Sequence, residues 1–266
     1  MARARDERPA GGRPVAGPAS GRPVAAAGRR GPRQGAVDPS RQGFDRPALA
    51  ADLDDGLAEL GLDLPAADRA RLLDYLALLL RWNSVYNLTA IRDPQAMLVQ
   101  HLFDSLAVVR PLRERLGRGG APVTALDVGS GAGLPAIPMA IAWPELRITT
   151  VEPVGKKSAF IQQSIGTLGL APRTRAVNGR IEHLADRPNA EGPPALVISR
   201  AFASLADFVQ GLQGVAGPDT LVAAMKGVWP DDEIAALPAG WQPTERIELT
   251  VPRLDAQRHL VLMRRT

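Results

Sequence analysis

The sequence predicts an α/β protein built on a doubly wound, mostly parallel sheet, with a helical extension ahead of it. Three observations carry that expectation. Short, largely apolar runs near 123–128, 147–152, 174–178, 195–200 and 220–226 alternate with helix-like segments. The runs are apolar enough to be covered on both faces, as parallel strands are. The stretch "LDVGSGAGLP" at 126–135 places Gly129, Gly131 and Gly133 directly after the first run. In such a sheet a bare turn at a strand's carboxyl end is where ligands bind.

The chain has 266 residues, 45% of them apolar, enough for one large domain with a full core. There is no cysteine, so disulfides, thiolate metal sites and a thiolate nucleophile are excluded. No apolar segment is long enough to cross a membrane, and no secretory signal opens the chain. A cytoplasmic protein is therefore expected. Residues 1–46 carry 10 Arg against 4 acids, whereas residues 47–266 are slightly acidic, at net −2. The basic character belongs to the tail. That tail repeats Pro and Gly and lacks large apolar side chains, so it is expected to be disordered. It reads as a passive solvated extension, as an arm attracting RNA by counterion release, or as an Arg-rich transit peptide.

Helices are expected over 47–118 and the α/β core over 119–266. "RLLDYLALLLRW" sets Leu72, Leu73, Leu76, Leu79 and Leu80 on one helix face. A second helix runs through "QAMLVQHLFDSLAVV", with Asp93 as its cap and Pro94 in its first turn. There His101 and Asp104 share a face. Two ligands do not make a metal site, so they read as a structural hydrogen bond or a polar face against a pocket. Helices are expected at 134–142, 155–168, 205–214 and 231–237, and late strands at 241–251 and 259–264.

The glycine pattern is G-x-G-x-G after Asp127. A dinucleotide loop is G-x-G-x-x-G, and position 134, where its third glycine belongs, is Leu134. A pyrophosphate also wants a helix N-terminus beside it, whereas here a bulky side chain is expected to face the pocket. The spacing fits S-adenosylmethionine better, since that cofactor has no phosphate but needs close backbone approach. Glu152 ends the second strand, where a carboxylate accepts bonds from ribose hydroxyls. A nicotinamide-linked oxidoreductase would share the fold and Glu152. A non-catalytic cofactor-binding regulator would keep the loop but would not need Arg200 and Lys226 converging on one pocket. Arg200 ends an apolar strand, a poor place for a cation unless something anionic meets it.

The blocks "RWNSVYNLTAIRDPQAMLVQHLFDSL", "LDVGSGAGLPAIPMAIAWPELRITTVEPVGKKSAFI", "ISRAFASLADFV", "AMKG" and "RHLVLMRR" resemble the RsmG (GidB) family over about residues 50–266. One departure is Ala136, where the family commonly has glycine. The resemblance implies a Rossmann-like class I S-adenosylmethionine-dependent methyltransferase that methylates N7 of a guanine in the 530 loop of 16S rRNA. It implies that Gly129 and Leu134 line the methionine and ribose end of the cofactor, and that Ile181 and Glu182 flank the adenine. Arg200 would reach the cofactor or substrate side. Arg200, Asp127, Gly131 and Glu152 complete the expected cofactor set, and Arg200 and Lys226 the catalytic one. Ile181 could also be core, Glu182 a solvated helix residue, and Phe202 either core or a surface for a splayed base. The expected partner is 16S rRNA or the small ribosomal subunit, bound by a monomer without metal. A methyltransferase acting on another RNA or a small molecule is the alternative.

The chemistry fits what the sequence lacks. The N/D-P-P-Y/F turn used for exocyclic amines is replaced by Ser199-Arg200-Ala201-Phe202, and no cysteine is present to attack a pyrimidine carbon. Guanine N7 needs neither. Candidate cations for RNA are Lys156, Lys157, Arg173, Arg175, Arg180, Arg200, Lys226, Arg253 and Arg258.

Overall fold

The computed structural model describes residues 43–185, 192–200 and 202–266. The expected disordered tail lies outside these residues up to 42. Its expected limit at 46 falls inside ordered structure, because helix α1 spans Arg46–Glu59 and Asp45 caps it by accepting from the Ala48 N–H at 3.1 Å. Helix α2, Ala66–Tyr86, buries the expected leucine face together with Tyr75 and Trp82. Asp93 caps α3, Pro94–Met97, as expected, accepting from the Ala96 N–H at 2.7 Å. The chain then loosens into a π-helical segment, Leu98–Phe103, before α4, Asp104–Leu106, and α5, Val109–Leu116.

The core alternates strand and helix: β1 Val123–Val128, α6 Ala136–Ala142, β2 Leu146–Glu152, α7 Gly155–Thr167, β3 Thr174–Asn178, α8 Glu182–Ala185, β4 Leu196–Ser199, α9 Leu205–Gly211, β5 Leu221–Lys226, α10 Asp231–Ala235, β6 Trp241–Glu248 and β7 His259–Arg265. The sheet order is β3-β2-β1-β4-β5-β7-β6, with β1 to β5 parallel and β7 antiparallel to both its neighbours. Strand order reverses between β1 and β4, so a crevice opens at their carboxyl ends. The Ser199 hydroxyl donates to the Val128 carbonyl across that junction at 2.8 Å.

Apolar strand residues supply both faces. Val123 and Ala125 pack with α1, α2, α6 and α7 (Leu53, Leu76, Ile137, Phe160), while Leu126 and Val128 pack with Ile181, Leu205 and Phe208. The N-terminal helices thus belong to the same core as the sheet. Two helices end sooner than their patterns predict. At α9 the Leu212 N–H turns back to Val209, and Val215 and Ala216 both donate to the Leu212 carbonyl, which tightens the chain into turns before Gly217. At α10 the last turn closes at Ala236. The strand expected over 195–200 stops at Ser199, which leaves Arg200 beyond the ladder.

Candidate active site

The loop after β1 holds Gly129, Gly131 and Gly133 at φ of 72°, 60° and 82°, a region L side chains rarely enter. At Gly133 a Cβ would meet Ile137 Cγ1 at 2.7 Å, so this glycine lets α6 pack on the loop. At Gly131 a Cβ would meet nothing within 4 Å, so its bare backbone borders open space. The Gly133 and Leu134 N–H groups both donate to the Ser130 carbonyl, at 2.8 and 2.9 Å, and close the turn.

Two buried carboxylates frame this loop. Glu152, at the end of β2, accepts the Gly131 N–H with Oε2 at 2.8 Å and the Val154 N–H with Oε1 at 2.9 Å. A carboxylate has about four acceptor positions, so two remain for the paired hydroxyls of a ribose. Asp127 is fully buried; Oδ2 accepts the Ala136 N–H at 3.3 Å, and Oδ1 has no partner within the protein. Burial pushes its carboxyl up to about 7. From behind, the Tyr75 hydroxyl donates to the Ala132 carbonyl at 2.8 Å. Burial raises that phenol well above its ordinary range, so it stays a donor. A buried acid with one oxygen unpartnered, a bare glycine edge and a half-used carboxylate suit the polar parts of S-adenosylmethionine.

The expected cofactor residues divide. Gly129, Gly131, Asp127 and Glu152 do meet at this loop. Leu134 does not face an opening: its side chain is 2% exposed and lies in the main core, because Gly133 turns the chain inward onto Ile137. Ile181 packs in the core of the opposite face, and Glu182 is exposed at the start of α8. Both lie beside the end of α9, where a Cβ on Gly211 would stand 3.2 Å from Ile181 and 3.8 Å from Glu182.

A cavity of about 350 Å³ lies between the carboxyl ends of β4 and β5 and the π-helical segment, lined by Ile91, Gln100, His101, Asp104, Arg200, Met225, Lys226, Gly227 and Arg258. The two expected catalytic cations, Arg200 and Lys226, therefore meet. The anion facing Arg200 is Asp104. This buried carboxylate accepts Arg200 Nη1 at 3.5 Å and Arg258 Nε at 2.8 Å. Lys226 Nζ donates to both oxygens of Glu233, at 2.9 and 2.8 Å, and Glu233 also accepts the Leu205 N–H that opens α9.

His101 is neutral in this setting: burial, then the nearby Arg200, push its pKa down to about 4. Its Nδ1 lies 3.1 Å from the Gln100 carbonyl, which can only accept, so the proton is assigned to Nδ1. Nε2 then accepts from the Thr89 hydroxyl at 3.0 Å. Behind the cavity His259 holds the Gly227 carbonyl at 2.9 Å, and Arg246 lies 4.8 Å over the Trp229 ring. The ring of Phe202 packs on Phe208 at 4.9 Å, and a Cβ on Gly129 would stand 4.0 Å from its edge. Phe202 is thus core on one side and a wall of the loop on the other.

Other expected cations are committed elsewhere. Arg173 precedes β3, at the amino end of the sheet, and binds the Ala140 and Trp143 carbonyls. Arg253 pairs with Asp52 and Asp55 of α1. Tyr75 and Glu233 are the residues beside the loop and the cavity that motif reading missed, whereas His101 and Asp104, read as a structural hydrogen bond or a polar face against a pocket, do line the cavity. Asp104 was visible as the partner of His101 on one helix face, but its arginines were not. Among the described residues no three His, Asp or Glu side chains gather as a metal site, and no helix is long and apolar enough to cross a membrane.

A doubly wound sheet with an antiparallel last hairpin, a glycine loop after β1 and an acid closing β2 make up the class I methyltransferase fold. The model of the GidB family, rRNA small subunit methyltransferase G, matches residues 68–261. A protein of Burkholderia thailandensis named ribosomal RNA small subunit methyltransferase G is 50% identical over 216 residues, covering 81% of this chain and 91% of its own length. One from Burkholderia pseudomallei with the same name is 50% identical over 218 residues, with coverage of 81% and 91%. The chain belongs to the rRNA small subunit methyltransferase G family. Its methyl donor is S-adenosylmethionine and its substrate class is rRNA. Among solved structures it is similar to TrmN from Thermus thermophilus, at TM-score 0.48 and 16% identity over 64% of this chain and 53% of that one. It is also similar to the methyltransferase yhhF from Escherichia coli, at TM-score 0.43 and 18% identity over 59% of this chain and 84% of that one.

Proposed function

We propose that the protein methylates N7 of a guanine in the 530 loop of 16S rRNA, acting in the cytoplasm as a monomer on the RNA or the small subunit. The observation that carries this reading is a cation-lined cavity, beside the cofactor loop of an rRNA methyltransferase, in which the buried histidine has both ring nitrogens engaged. Among the described residues lining this cavity, His101 and Asp104 are both engaged, so the cavity offers positioning and charge rather than a base. Guanine N7 asks for that combination. Its lone pair lies in the ring plane and carries no proton, so catalysis reduces to holding N7 about 3–3.5 Å from the methyl carbon, in line with its bond.

S-adenosylmethionine supplies the methyl group on a positively charged sulfur. In the proposed arrangement Gly129 and Gly131 let the loop backbone approach, and the turn through Leu134 fixes its course. Glu152 takes the ribose hydroxyls, Ile181 and Glu182 flank the adenine, and Asp127 offers its unpaired oxygen beneath the loop. Arg200 and Lys226 hold the RNA. Incubation of unmethylated 16S rRNA with protein and cofactor, followed by borohydride and aniline, should cut the RNA at one site in the 530 loop. Absence of scission, with the methyl group found on an exocyclic amine, would overturn the N7 reading.

A further inference from the structure

We propose that the rim at the carboxyl ends of β2 and β3, carrying Lys156, Lys157 and Arg180, is a docking surface for the phosphodiester backbone of the rRNA, apart from the crevice between β1 and β4. The inference rests on rRNA being the substrate, and its binding test does not depend on which nucleoside is methylated.

The distribution of charge is the first argument. From Leu146 to Arg180 the chain carries six cations, Arg147, Lys156, Lys157, Arg173, Arg175 and Arg180, against one acid, Glu152. That limb is net +5 within a body that is net −2, so the remainder of residues 47–266 is net −7. Its one acid is buried and turned back onto the Gly131 and Val154 N–H groups. Lys156, Lys157 and Arg180 pair with no carboxylate among the described residues, whereas Arg200, Lys226, Arg253 and Arg258 all do. Lys156 and Arg180 are exposed, and so is Val154 just ahead of the lysines, at 40%.

Geometry is the second. The two loops that carry these cations are tied to one another. Asn178 Nδ2 donates to the Glu152 and Pro153 carbonyls at 2.8 and 3.2 Å, and the Gly179 N–H donates to the Glu152 carbonyl at 3.2 Å. Arg180 follows this junction directly, and Lys156 and Lys157 stand in the first turn of α7, which holds no acid. A helix dipole favours acids at that end and opposes lysines, so the pair is misplaced until an anion meets it. A helix N-terminus and lysines at one rim attract the same kind of ligand, a phosphate.

The cofactor supplies no such anion. In a dinucleotide enzyme, a cation near the acid of β2 meets a 2′-phosphate. S-adenosylmethionine has no phosphate, and the ribose hydroxyls that suit Glu152 are uncharged. Its one carboxylate belongs to the methionine part, which in the proposed arrangement lies at the loop after β1. The rRNA is then the source of phosphate. A basic rim on an otherwise acidic body also orients the RNA, because the other faces repel it.

The test is the salt dependence of binding between the full-length protein and 16S rRNA prepared without this methyl group. Lys156→Gln, Lys157→Gln and Arg180→Gln should each make the slope of log K against log salt shallower by about 0.7–0.9, and the triple variant by about 2–3. The single variants decide the matter if the triple does not fold. Lys157→Arg keeps the charge and should keep the wild-type slope. Arg147→Gln removes a cation of the same limb at the opposite, amino end of β2, and should leave the slope unchanged. Calorimetry should find S-adenosylmethionine affinity at the wild-type value in all of them. A wild-type slope in the three Gln variants would overturn the docking surface. An equal loss of slope in Arg147→Gln would overturn it as well, by assigning the effect to net charge rather than to the rim. So would a loss of about tenfold in S-adenosylmethionine affinity with the slope unchanged, which would assign the cations to the cofactor. Methyl found elsewhere than N7 would contradict the proposed target and leave the slope result standing.

Discussion

The glycine loop and the charged cavity are neighbouring halves of one crevice, built in opposite ways. The loop is made of backbone within one short stretch, and its flanking acids, Asp127 and Glu152, close consecutive strands. The cavity is made of side chains brought from far apart: Asp104 meets Arg200 across 96 residues and Arg258 across 154. Their charges differ as well. Buried carboxylates frame the loop, which suits a cofactor with hydroxyls and a cationic sulfur. Cations line the cavity, which suits RNA, although the body of the chain is slightly acidic. A nearly neutral protein can thus bind a polyanion by local concentration of charge.

The comparison can be broken by variants that should damage one half and spare the other. The largest effect is expected from Lys226→Ala, which removes a cavity cation and unpairs Glu233. Methyl transfer should fall about 100-fold in single-turnover assays, the scale of a misplaced substrate, with cofactor affinity retained. Glu152→Gln probes the loop. It should weaken S-adenosylmethionine binding by about 1–3 kcal/mol in calorimetry, and RNA affinity should stay at the wild-type value.

That contrast also explains what the sequence disclosed. The loop was legible because a strand, three glycines and an acid at the next strand's end follow one another in the chain. Most strands were legible to within a residue or two, since β1, β5 and the start of β7 are apolar runs bounded by turns, whereas the polar β6 ends three residues sooner than expected, at Glu248. The Leu134 side chain, expected to face the pocket, is buried instead, because side-chain direction after a positive-φ glycine is set by the turn, which spacing does not encode. The cavity was only half legible. Arg200 and Lys226 stood out as cations at strand ends; Arg258 was one of nine candidate cations, and nothing local tied it to this cavity until β7 paired antiparallel to β5. Tyr75 was hidden in a leucine-rich helix, where nothing local marks it as the support of a loop 57 residues away.

A smaller effect is expected at that support. Tyr75→Phe should cost about 0.5–1.5 kcal/mol of stability by loss of one buried hydrogen bond, read as a lower melting temperature, and should loosen the loop before the cavity. The smallest net effect in the wild type is expected from pH, because two shifts oppose one another. Asp127 is raised from 3.8 to about 7 in the folded protein, so the native state holds a proton the unfolded chain has lost. Its contribution to stability falls as pH rises from about 4 to about 7. His101 is lowered from 6.5 to about 4, so the unfolded chain takes up the proton first, and its contribution rises over about pH 4 to 6.5. The two slopes oppose one another in the wild type. Thermal melts should show Asp127→Asn gaining stability more steeply with pH over that window, and His101→Gln less steeply. Parallel curves for all three would refute both assignments.

The division of labour between loop and cavity is tested most directly by Arg200→Ala, assayed in one preparation for cofactor binding by calorimetry and for methyl transfer to 16S rRNA. Arg200 stands in the cavity, tied to Asp104 and Gln100. The expected result is a cofactor Kd within about twofold of wild type beside a loss of about 100-fold in transfer. Loss of cofactor binding in step with transfer would place Arg200 in the cofactor's half of the crevice and contradict the division.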